Sequence, residues 1–167
     1  FSIEERTKIR FGLSAVKNVG SAAISSIVAA RDEKPFASIY DFVNRVDLSK
    51  VNKKTMESLI KVGAMDVFGS RAALMTGLSE IMLWAQKKKK DADSAQGSLF
   101  AEEIEENEPL LPKVEEFTKR ERLNLEKELL GFYLTDHPLQ SKMESLVGQN
   151  VATIAQVGTF ESGKKIR

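Results

Sequence analysis

Apolar residues recur at helical spacing through most of the first 86 positions. Ile24, Ile27 and Val28 fall at i, i+3 and i+4 after Ser21, which predicts a helix ending near Arg31, ahead of the turn-prone stretch 32–35. Ser38 can cap a helix carrying Ile39, Phe42, Val43 and Val46, and Asn52 another carrying Met56, Leu59 and Ile60. After Gly69, Ser70 caps a longer helix with Leu74, Leu78, Ile81 and Ala85 inward and Trp84 closing its edge. Residues 1–12 lack this period. The stretch 9–13 reads as extended, as if arriving from an upstream element, so the chain is expected to be a piece of a longer one.

Two reversals join these apolar helices, Val16-Lys17-Asn18-Val19-Gly20 and Ile60-Lys61-Val62-Gly63-Ala64. A reversal within a few residues favours positive φ, which Gly20 and Gly63 reach freely and Asn18 at modest cost. A single turn of this kind is an ordinary link between helices. Its repetition points to paired helix-hairpin-helix units, a device for gripping a nucleic-acid backbone without reading bases. The side-chain-poor turn lets backbone N–H groups approach a phosphate, and the helix that follows adds its free amides and positive dipole end. The candidate duplex-DNA contacts are Lys17, Asn18, Val19, Gly20, Ser21 and Ala22 at the first turn, with Lys61 and Gly63 at the second.

The pattern changes at Lys87. Four lysines lead into Asp/Ser/Ala/Gln/Gly, then into an acidic run from Glu102 to Glu108 closed by Pro109 and Pro112. Residues 87–113 are therefore expected to be a flexible linker. Inside it, Gln96-Gly97-Ser98-Leu99-Phe100 sets an apolar pair in a solvated segment with no core of its own, which invites a partner. A charged helix is expected over about 115–130, ended by Gly131, with Asp136-His137-Pro138 as a cap and helix start. Residues 151–167 alternate like an incoming strand. The expected fold is mainly α: a tandem helix-hairpin-helix domain over 1–86, the acidic linker with its apolar motif over 87–113, a helical extension over 114–150 and an extended tail over 151–167.

Composition removes several function classes. The 167 residues include no cysteine and one histidine, so neither a thiolate metal site nor a histidine cluster can form, and His137 is assigned a structural role. No stretch is apolar enough to span a membrane, no secretory signal is evident, and a cytoplasmic setting is expected. Neither a Walker-type loop nor a dinucleotide glycine fingerprint occurs. Asp41 and Asp47 straddle a predicted helix end and Asp91 and Asp93 lie in the linker, so neither pair is a preorganised metal site, and no catalytic residue, metal or cofactor is assigned. Net charge is +1, but residues 1–90 carry 16 Lys/Arg against 9 Asp/Glu while residues 91–167 carry 9 against 15. The basic half suits a polyanion and the acidic half should lie away from it.

Taken in register, Arg10-Phe11-Gly12-Leu13, Val16-Lys17-Asn18-Val19-Gly20, Val51-Asn52-Lys53-Lys54, the stretch from Ser58 to Asp66, Arg71-Ala72-Ala73-Leu74 and the block from Leu130 to Leu139 resemble the bacterial DNA polymerase III alpha subunit family of replicative (C-family) polymerases. The resemblance implies the tandem helix-hairpin-helix region that contacts duplex DNA behind the active site, with residues from Val151 leading into an OB-fold. It further implies that Gln96, Leu99 and Phe100 bind the ring-shaped sliding clamp (beta subunit). The parent would be a DNA-directed DNA polymerase using Mg2+ held by aspartates outside this stretch, and other replicase subunits would be partners through it. One departure concerns the second turn, where Gly63-Ala64-Met65 has one glycine in place of the two that a phosphate-cradling turn often has. Phosphate contact and a packing role, the latter fitting Met65 and Phe68, both stay open there. A helix-hairpin-helix module of a repair protein and a helical protein-interaction scaffold are the alternatives. The first needs no Gln96 motif, and the second would have negligible duplex affinity.

Overall fold

The computed structural model describes residues 2–4, 8–95 and 108–139. Its entry is a two-stranded antiparallel ribbon, β1 (Ser2–Glu4) and β2 (Lys8–Arg10), with Ile3 opposite Ile9. The helix expected before the first turn is only a 3-10 turn, Leu13–Ala15. Gly12 and Val16 on either side are extended, so three residues are left to coil, and Ala15 N–H to Gly12 O and Val16 N–H to Leu13 O close them.

Among the described residues the α-helices are α1 (Ser21–Glu33), α2 (Ile39–Arg45), α3 (Lys53–Lys61), α4 (Arg71–Ala95) and α5 (Lys119–Leu130). The caps read from sequence are made: the Ser38 hydroxyl accepts from Asp41 N–H and the Asn52 side chain from Thr55 N–H. Met56, Leu59 and Ile60 of α3 meet Leu74, Leu78 and Ile81 of α4 in the fully buried centre, and α2 also packs on α4. Each such side chain contributes roughly 1.5–3 kcal/mol on burial. Trp84 lies inside this layer, edge-on to Tyr40 at 4.9 Å between ring centroids.

Helix α4 does not stop at residue 86, where the linker was expected to begin, but continues through the four lysines to Ala95. Lysine and alanine are strong helix formers, and Lys88 Nζ sits 4.7 Å from the Trp84 ring centroid, so the lysine run extends the helix instead of ending it. Residues 108–118, expected to be linker and helix, form an extended strap laid back on the helices. The Tyr40 hydroxyl donates to Pro109 O at 2.7 Å and the Ser38 hydroxyl to Glu108 at 3.3 Å, while Leu111 and Pro112 press against Gly69 and Gly77. Prolines 109 and 112 disfavour helix there.

Helix α5 begins at Lys119, later than the expected 115, because Thr118 and Glu121 form a reciprocal capping box. Gly131, at φ 87°, ends it as expected. It packs on α3 and reaches the first turn, where Lys17 N–H donates to Leu129 O at 2.9 Å. Strap and α5 thus belong to the same packed body as α1–α4.

Candidate nucleic-acid interface

The first turn is held from beneath by α3. The Asn18 side-chain amide donates to Ser58 Oγ at 3.1 Å, and Thr55 Oγ1 donates to Asn18 O at 3.0 Å. Val16 and Val19 are buried, leaving Lys17, Asn18, Gly20, Ser21 and Ala22 at the surface. The positive φ of this turn belongs to Asn18, at 66°, and not to Gly20, which was expected to share it. Gly20 is extended (φ −79°, ψ 161°) because it is the N-cap of α1, and its carbonyl accepts the first helical bond from Ile24 N–H.

As a cap, Gly20 has no side chain with which to satisfy the first amides of α1, and the first turn of α1 carries no acidic residue. A β-carbon on Gly20 would meet nothing within 4 Å, so the approach to these amides is open. Exposed N–H groups, a positive dipole end and Lys17 beside them form an oxyanion-binding arrangement.

The second unit is built differently. The N-terminus of α4 is already occupied by a carboxylate from the strap: Arg71 N–H donates to Glu116 Oε2 at 2.8 Å and Ala72 N–H to Glu116 Oε1 at 3.1 Å. Ser70 Oγ accepts from Ala73 N–H at 3.2 Å. Partial burial alone would raise the Glu116 pKa, but bonds from the Phe117, Arg71 and Ala72 amides outweigh it and hold the carboxyl below its ordinary value. Gly63, at φ 81°, faces the Arg71 guanidinium, and Lys61 contributes its carbonyl to Arg71 Nη1 at 3.1 Å. The Lys61 residue is half-buried. These contacts account for Gly63 by packing, and for Lys61 only through its backbone carbonyl.

Arg71 also donates to Asp66 through Nε and Nη2, both at 3.0 Å, and its Nη1 lies 3.5 Å from Oε1 of the fully buried Glu126. The other Glu126 oxygen accepts the Leu134 and Thr135 amides at 2.9 Å each. Sequence reading missed Glu116, Arg71 and Glu126. Each is one charged residue among many, and only the fold distinguishes it. The Thr118-x-x-Glu121 box, by contrast, was open to inspection as a capping signature.

Elsewhere, Asp41 accepts the Ala37 amide and pairs with Arg45, while Asp47 serves Ser49 and Lys50. His137 Nδ1 accepts from Leu139 N–H at 3.2 Å, a local turn contact. Among the described residues no group of three or more His, Cys, Asp or Glu could hold a metal ion, and no helix is long and apolar enough to cross a membrane. Gln96, Leu99 and Phe100 lie outside the described residues, as do the helix expected after Pro138 and the strand expected from Val151.

A family model described as a helix-hairpin-helix motif matches residues 1–74. Proteins named DNA polymerase III subunit alpha align over most of the chain. That of Halalkalibacterium halodurans is 41% identical over 143 residues, covering 86% of this chain and 12% of the relative. That of Thermus aquaticus is 42% identical over 133 residues (79% of this chain, 11% of the relative), and that of Bacillus subtilis 38% over 153 (91% and 14%). The chain thus spans about an eighth of the length of the curated relatives it matches. Over most of its length the chain is thus similar to a short stretch of DNA polymerase III alpha subunits, and its first 74 residues match the helix-hairpin-helix motif.

Proposed function

We propose that this chain is the part of a bacterial replicative DNA polymerase alpha subunit that holds duplex DNA by its backbone, without sequence preference, and tethers the enzyme to the sliding clamp. The observation that carries the DNA reading is the contrast between the two helix N-termini. That of α1 is exposed and, among the described residues, meets no side-chain cap, while that of α4 is filled by Glu116. The contact therefore falls to the first turn: Lys17, Asn18, Val19, Gly20, Ser21 and Ala22. Lys61 and Gly63 support it by holding the second unit in place.

Nucleotidyl transfer, in this reading, belongs to the rest of the longer polypeptide. Mg2+ would be held there too, as the family resemblance implies. Clamp binding is assigned to Gln96, Leu99 and Phe100, on the strength of the family resemblance and of an apolar pair set in a polar segment. Other replicase subunits engage through the parent, in the cytoplasm.

Titrating labelled duplexes of unrelated sequence across a range of salt tests the DNA reading. Two to four neutralised phosphates give a log–log slope of about −2 to −4. A slope near zero, or strong preference for one sequence, overturns backbone binding.

A further inference from the structure

We propose that Lys54, which belongs to neither turn, contacts a further phosphate of the same duplex, so that the DNA track runs from the first turn onto the exposed side of α3. This rests on the reading that the chain binds duplex DNA. The Ser58 hydroxyl accepts from the Asn18 side-chain amide and so marks the line of α3 that abuts the turn. At about 100° of rotation per residue, Lys54 stands roughly 40° round the helix from Ser58 and Lys61 roughly 60°, both in the same sense. Thr55, the other residue bonded to Asn18, lies on the opposite side of that line.

Continuing past Lys61, Glu57 comes at roughly 100° and Lys53 at roughly 140°. The structure checks this order independently, because Lys53 Nζ is turned toward α4, donating to Ser79 Oγ at 3.0 Å. Glu57 therefore lies beyond Lys54 as seen from the turn, not between them. Lys61 is half-buried, whereas Lys54 is exposed and has no ion-pair partner among the described residues. An exposed ammonium beside an oxyanion-binding turn adds attraction for the next phosphate along the duplex.

Adjacent lysines provide the test. Duplex binding by the 167-residue chain is measured across salt for Lys54→Ala and Lys53→Ala, with melting followed by circular dichroism. The expected result is weaker binding by Lys54→Ala on every sequence and a salt slope smaller in magnitude by about 1, with melting unchanged and Lys53→Ala close to the parent. Charge reversal, Lys54→Glu against Lys53→Glu, should widen the gap. Equal affinities for Lys54→Ala and the unsubstituted chain, or equal losses for the two lysines, would overturn the contact while leaving DNA binding standing. Failure of the unsubstituted chain to bind any duplex overturns the reading beneath it as well.

Discussion

The guanidinium of Arg71 occupies the space into which a β-carbon on Gly63 would project. From there it reaches Asp66, the Lys61 carbonyl and the buried Glu126. Gly63 thus serves the second turn twice: it supplies the positive φ, and it leaves room for a cation that ties α3, α4 and α5 together.

Gly63→Ala should therefore destabilise the chain by about 1–3 kcal/mol, since strain at φ 81° adds to displacement of Arg71. Denaturant unfolding measures it. Stability within a few tenths of a kcal/mol of the parent would contradict this account of the turn.

Glu126 gives a larger effect. Its burial tends to raise its pKa, but the Thr135 hydroxyl, the Thr135 and Leu134 amides and Arg71 together lower it below the ordinary carboxylate value. Glu126→Ala removes one partner of a buried pair and should cost about 3–5 kcal/mol. Because the folded-state pKa is depressed, its contribution is fully present above the unfolded value of about 4.3 and is lost as pH falls through the folded value. Glu116 behaves with the same sign. Stability should fall on acidification below about pH 5, less steeply in Glu116→Gln and Glu126→Gln. An acid limb of unchanged slope in both variants would remove these two groups as its cause.

The apolar period was enough to predict α1 to α3 and the start of α4, because each helix buries one stripe, and at α2, α3 and α4 a capping residue that sequence alone reveals (Ser38, Asn52 and Ser70) marks the start. The first turn was legible as a unit but its torsions were not: Val16-Lys17-Asn18-Val19-Gly20 does not say whether Asn18 or Gly20 takes the positive φ, and the bonds that Asn18 donates to Ser58 and accepts from Thr55 decide it. The strap was illegible. Its acidic, proline-bearing composition reads as solvated linker, and only tertiary docking of Leu111 and Glu116 makes it part of the fold. For the same reason the contrast between an open and a filled helix N-terminus, on which the functional reading turns, could not be read from the two turns themselves.

For the clamp, the double variant Leu99→Ala/Phe100→Ala should lose binding to the isolated sliding clamp while keeping helicity and melting. Each side chain offers roughly 1.5–3 kcal/mol on full burial, so removing both should weaken binding by well over tenfold. Calorimetry or surface binding reads this directly. Equal affinities for variant and parent would take the motif out of the proposal.

Ala22→Glu separates DNA binding from folding by opposite signs. Ala22 is exposed at the second position of α1, where the helix dipole is positive and no acidic residue stands in the first turn. A carboxylate there should leave stability unchanged or raise it by about 0.3–1 kcal/mol. The same carboxylate would take the amides offered to a phosphate, as Glu116 takes those of α4, and would repel the DNA backbone. Duplex affinity should therefore drop at least tenfold, in a protein that melts no lower than the parent. A variant that is equally stable and binds duplex as well as the parent would show that the α1 N-terminus does not hold a phosphate, and would move the contact to the lysines alone.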